Sequence, residues 1–124
     1  MKSLPYVHWM PRVSNDLKQC LRFVAERSGG NTVNREREIF AGMAKILRHP
    51  KASRVGTRRL RLGIDLRGYH VAQFVIIYAY FEPNAVMESG MVSIRAIRHR
   101  RVRNPFHGVK EPVAHNPFGG ASSF

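Results

Sequence analysis

Arg98, His99, Arg100, Arg101 and Arg103 fall within six consecutive positions of the stretch VSIRAIRHRRVRNPF, residues 92–106. Like charges packed so closely repel one another, so folding alone gives no reason to gather them. The surrounding cations should depress the His99 pKa and leave its ring uncharged near neutral pH. A neutral imidazole beside arginines could take the proton of a ribose 2′-hydroxyl while the guanidiniums steady a phosphorane. His99, Arg100, Arg101 and Arg61 are therefore the candidate residues for such chemistry. The plainer alternative, a histidine that merely hydrogen-bonds within the fold, is the favoured one. His8, His49, His70, His99, His107 and His115 show no metal-ligand pairing, so neither a metal nor a cofactor is expected. No glycine-rich phosphate loop, nucleophile elbow or paired-carboxylate site is present.

The rest of the chain says what kind of partner these cations would meet. Sixteen arginines, five lysines and eight acids give a formal charge of +13. Such a surplus implies an anionic partner: nucleic acid, an acidic protein or an anionic surface. The arginine bias suits bidentate contact with phosphate or carboxylate, whereas lysine would serve solubility equally well. Between positions 48 and 103, eleven arginines and Lys51 stand against Asp65, Glu82 and Glu88, twelve minus three or +9. The single cysteine excludes an internal disulfide and a paired-cysteine zinc site. The longest apolar run, FVIIYAYF at 74–81, is too short to span a bilayer, and MKSLPYVHWM lacks a signal-peptide core. A cytoplasmic protein without membrane contact is the expectation.

The elements that would hold the cluster follow from hydrophobic period. Residues 5–10, PYVHWM, suggest an edge strand. Beyond Pro11, with Ser14 or Asn15 as cap, Leu17, Cys20, Leu21 and Val24 recur at helical spacing until Gly29-Gly30. A second helix is expected from Asn31 or Thr32, with the stripe Ile39, Phe40, Met43, Ile46 and Leu47, ended by Pro50. In RRLRLGIDLR (58–67), Leu60, Leu62, Ile64 and Leu66 alternate with Arg59, Arg61, Gly63, Asp65 and Arg67, as in a strand with one apolar and one cationic face. QFVIIYAYF (73–81) is apolar on both faces, as a central strand would be. Val92, Ile94 and Ala96 then alternate with Ser93 and Arg95 in a last strand. The expected architecture is α+β: a small antiparallel sheet of about four strands with an antiparallel helix pair on one face, in the order β-α-α-β-β-β. Residues 1–103 are expected to form the domain and 104–124, rich in Pro, Gly, Asn and Ser, a flexible tail.

NDLKQCLRFVAERS, ILRHP, LRGYHVAQFVIIYAY and SIRAIRHRRV, taken in order, resemble the RelE/ParE superfamily of type II toxin–antitoxin toxins, from about Pro5 to Arg103. The resemblance implies the same sheet with two helices, a toxin, and a cognate antitoxin with which it forms a hetero-oligomer. RelE-like members cut mRNA on the ribosome; ParE-like members inhibit DNA gyrase. Aligned on Tyr78, the RelE-type central arginine falls at Val75, its lysines near Gly63 and Asp65, and its late tyrosine at Phe106. The last arginine is kept, at Arg100. The pattern is thus closer to ParE, with a ribosome-dependent mRNA endonuclease as the first alternative. A non-enzymatic, basic nucleic-acid-binding protein is the second. Arg59, Arg61, Arg67, Arg98, Arg100, Arg101 and Arg103 are expected to contact the target or the antitoxin.

Overall fold

A computed structural model of the chain describes residues 4–28, 32–57, 65–101, 106, 108 and 109. Along the chain come β1 (Tyr6–Trp9), α1 (Pro11–Ser28), α2 (Thr32–Arg48), β2 (Arg54–Thr57), β3 (Leu66–Val71), β4 (Phe74–Phe81) and β5 (Met91–His99). The expected α+β order holds, with five strands in place of about four. Helix α1 begins at Pro11 itself, earlier than a cap at Ser14 or Asn15 would place it. Proline is at home in the first turn, where its missing N–H costs nothing, and the Val13 amide donates to the Met10 carbonyl at 2.9 Å.

The sheet order is β1-β5-β4-β3-β2. β2, β3, β4 and β5 pair antiparallel in turn, but β1 runs parallel to β5, with Tyr6 opposite Met91 and Trp9 opposite Ile94. The sheet is therefore mixed. Parallel pairing arises because β1 and β5 are joined through both helices and three strands, and no hairpin dictates their direction. The strand expected over 58–67 also divides differently. Its C-terminal end, Leu66 and Arg67, opens β3; residues 58–64 lie outside the described residues. β3 instead continues to Val71, and Ala72-Gln73 make a two-residue turn into β4.

β4 is buried along nearly its whole length, as expected of a central strand. On one face Phe74, Ile76, Tyr78, Val92, Ile94 and Ile97 meet Val13, Cys20 and Val24 of α1 and Ile39, Met43 and Ile46 of α2. Leu17 and Leu47 pack at its margin. Phe40, assigned to the buried stripe, is 46% exposed; it lies one helical step beyond the face that Ile39 and Met43 bury. On the other face Leu66, Val75, Ile77, Ala79, Met91 and Ala96 form a second core, against which Phe106 and Val109 of the expected tail pack; residues 104, 105, 107 and 110–124 of that stretch lie outside the described residues. Phe106 lies over Gly56 and Gly68, whose missing side chains make room for its ring.

One irregularity in β5 decides where its end points. Ile77 pairs with Ala96 but Tyr78 pairs with Ile94, so Arg95 is an extra residue in the ladder. A bulge of this kind moves every later side chain to the opposite face. Val92 and Ile94 face the helices, whereas Ala96 joins the second core and Ile97 returns to the first. The simple alternation of Val92, Ile94 and Ala96 is corrected accordingly.

Candidate functional site

Beyond Trp9 no strand among the described residues lies beside the edge of β5, and α1 covers it instead. The Ile97 amide donates to Asp16 Oδ2 at 3.1 Å, and Cys20 Sγ lies 3.9 Å from the Ile97 carbonyl oxygen. Asp16, 8% exposed, also meets Arg12 Nε at 3.4 Å. Burial, with the Asp16 charge nearby, pushes the Cys20 thiol up to about 11, which fits its expected place in the core. A thiol so placed stays protonated and inert at neutral pH.

The bulge at Arg95 turns His99 onto the helix side. There its ring packs edge-on between Phe23 (centroids 4.7 Å) and Phe74 (5.7 Å). The Arg101 backbone N–H donates to His99 Nδ1 at 3.0 Å. In the neutral ring Nε2 therefore carries the proton, and the imidazole is a donor there. Its pKa is lowered, first by burial and then by Arg101, Arg100 and Arg27. The direction matches the expectation from charge, but desolvation is the larger cause.

His99 is the wall between two cavities. One, of about 550 Å³, is bordered by Arg35 and Glu38 of α2, Ala72 and Gln73 of the β3–β4 turn, and Arg100 and Arg101. The other, of about 440 Å³, lies against α1 and has Arg12, Asp16, Gln19 and Arg98 among its polar lining. Arg98 is half-buried, and its pKa is lowered by burial and by Arg12. Arg100 holds the hairpin turn: its amide donates to the Gln73 carbonyl at 2.8 Å and its Nη1 to the Ala72 carbonyl at 3.1 Å. Ala72 has φ 52°, a conformation that costs a residue with a Cβ about 1 kcal/mol.

Of the residues singled out from sequence, Arg98, His99, Arg100 and Arg101 are brought together at the end of β5. Arg67 is not. It pairs with Tyr78, whereas His99 pairs with Phe74, so Arg67 stands four residues up β4, roughly 13 Å along the sheet. Its Nη1 donates to the carbonyls of Ser53 at 2.8 Å and Lys51 at 3.2 Å. Beside it the Tyr78 hydroxyl donates to the Pro50 carbonyl at 2.7 Å, and the two side chains anchor the segment that follows α2. Arg59, Arg61 and Arg103 lie outside the described residues.

Arg35, Gln73 and Arg12 were not anticipated. The only sequence signal for Arg35 is its spacing from Glu38, which permits the observed ion pair at 2.6 Å. Nothing local says that this turn of α2 faces the end of β5. Among the described residues no group of His, Cys, Asp or Glu side chains could hold a metal ion. Among them, too, no helix is long and apolar enough to cross a membrane.

Two helices on one face of a small sheet, with a basic end to its last strand, is the arrangement the RelE/ParE resemblance implies. The family model described as the ParE toxin of the type II toxin–antitoxin system, parDE, matches residues 7–103. The chain belongs to the ParE toxin family. It is a toxin of a type II toxin–antitoxin system, and that membership implies an antitoxin partner. A comparison with curated proteins finds no match.

Proposed function

We propose that this ParE-family toxin arrests growth by acting on DNA gyrase in the cytoplasm, and that an antitoxin encoded beside it neutralises it. The observation that carries this reading is the family match over residues 7–103. The chemistry at the end of β5 supports it. A ribonuclease would need a general base, yet the Nδ1 lone pair of His99 is taken up by the hydrogen bond from the Arg101 N–H, and Nε2 bears the ring proton. Val75, at the RelE-type arginine position, is fully buried, and Phe106, at the tyrosine position, packs over two glycines.

The antitoxin has surfaces to cover. β1 is an edge strand of the described sheet; Tyr6, Val7 and Trp9 are exposed along it, and Leu4 is exposed just before it. An edge strand with apolar side chains suits added strand or helix contact, while the cations speed encounter with an acidic partner. Association should therefore slow markedly from low to physiological salt.

The test is to induce the chain alone and time the two responses. DNA-damage signalling that precedes translation arrest, and persists in His99→Ala, is the expected result. Ribosome-dependent mRNA cuts that vanish in His99→Ala would overturn the reading in favour of the endonuclease.

A further inference from the structure

We infer that the cavity between α2, the β3–β4 turn and the end of β5 seats a phosphodiester group of a nucleic-acid backbone. Its cations arrive from two separate parts of the chain: Arg35 from the first turn of α2, and Arg100 and Arg101 from beyond β5. Two of them are steadied. Arg35 Nη1 meets Glu38 at 2.6 Å and Arg100 Nη1 meets the Ala72 carbonyl at 3.1 Å. A guanidinium has five N–H donors, so one such bond leaves most of the fork for a ligand. Three arginines less Glu38 give the cavity side chains a formal charge of +2.

The local energetics point the same way. The first turn of α2 contains no acid and does contain Arg35, a cation set against the positive end of the helix dipole. Glu38 already pairs with Arg35 at 2.6 Å, so an anion in the cavity would chiefly offset the charge of Arg100 and Arg101. The wall opposite is the left-handed Ala72, held in place by Arg100, and such stored strain gathers at functional sites.

Phosphodiester suits the geometry better than an acidic side chain. A planar carboxylate is satisfied by one guanidinium fork, whereas a tetrahedral oxyanion accepts from several directions at once, and the arginines that line this cavity come from α2 and from the end of β5. The volume, about 550 Å³, exceeds one phosphate group and leaves room for the attached sugar. Across the His99 ring the second cavity presents Arg98, and Arg12 paired with Asp16. A nucleic-acid backbone repeats its charge along the strand, so one chain could occupy both sides of the ring. The inference stands whether or not gyrase is the target, because it concerns what the purified toxin itself binds.

The test uses fluorescence anisotropy of a labelled DNA duplex and a labelled single strand with the full chain, over a range of salt. Arg100→Gln with Arg101→Gln is compared with a control pair, Arg48→Gln with Arg54→Gln, exposed arginines remote from the cavity. Both pairs remove two charges. The cavity pair should weaken binding roughly tenfold more than the control pair and flatten the salt dependence by about one unit of slope. Circular dichroism melts establish that each variant is folded. Should the pair unfold, Arg101→Gln alone leaves the Arg100–Ala72 bond in place and should show the same trend. Equal losses in the two pairs would mean diffuse attraction and overturn the proposal. So would an oligoglutamate peptide that displaces DNA as readily, charge for charge, from the wild-type chain but not from the cavity variant. That result would make the seat one for an acidic protein.

Discussion

Asp16→Ala is the most informative single change, because one carboxylate closes the edge of β5 that β1 leaves uncovered. In the native fold Oδ2 accepts the Ile97 N–H at 3.1 Å, in a position where Ile97 is 2% exposed. Truncation leaves that amide buried without its acceptor, which costs about 1–3 kcal/mol. Loss of the Arg12 pair, whose arginine side chain is 44% exposed, adds less than about 1 kcal/mol. Alanine is the better helix former by up to about 0.7 kcal/mol, which offsets part of the loss. The balance is near 2 kcal/mol, or a fall in Tm of roughly 8 °C for a chain of this size. Asp16→Asn keeps an acceptor and loses only the charge, so it should cost less than about 1 kcal/mol. Calorimetric or circular-dichroism melts give the stabilities, and hydrogen exchange at the Ile97 amide locates the effect. Asp16→Ala should speed exchange there by more than at the β3–β4 ladder. If its Tm stays within about 2 °C of wild type with Ile97 still protected, the capping argument is wrong. If Asp16→Asn is as damaging as Asp16→Ala, charge rather than the hydrogen bond is what matters.

Three further outcomes are expected. Gly56→Ala and Phe106→Ala should each cost about 2 kcal/mol, since a Cβ at Gly56 would overlap the half-buried Phe106 ring; the double variant should cost far less than the sum, as measured by a denaturant double-mutant cycle. The pKa values of His8 (burial, then Arg95) and His99 are both lowered from 6.5, so the unfolded chain takes up protons first and stability should fall as pH drops below about 6.5; melts across that range should be flatter in the His8→Asn and His99→Asn variants. Cys20, with its raised pKa and buried position, should react with iodoacetamide only as fast as the protein opens, so that the labelling rate rises with denaturant in step with unfolding.

Much of the scaffold was legible in the chain because it is written in short-range period. The helical recurrence of Leu17, Cys20 and Val24, and of Ile39, Met43 and Ile46, marks each helix and its buried face. The continuous apolar run at 74–81 marks a strand covered on both sides, which is what β4 is. The crowd of cations after Ile97 marks the end of the last strand by residue type alone. Phe40 shows the limit of residue type as a guide: it is as apolar as Ile39 and Met43, yet it stands one position beyond the face they bury.

Other features depend on partners far away in the sequence, and no local pattern encodes them. Whether β1 runs parallel or antiparallel is settled only when it meets Met91–Ile94, with two helices and three strands intervening. The approach of Arg35 to Arg100 and Arg101 needs both α2 and the β3–β4 turn in place. The bulge at Arg95 is the sharpest case. Unbulged alternation would put His99 on the face opposite Ile94. One unmatched residue, accommodated where β5 pairs with Ile77 and Tyr78, brings it instead against Phe23 and Phe74. Residue types determined which groups stand at the end of the strand. Cross-strand register, a property of two segments at once, decided which way they face.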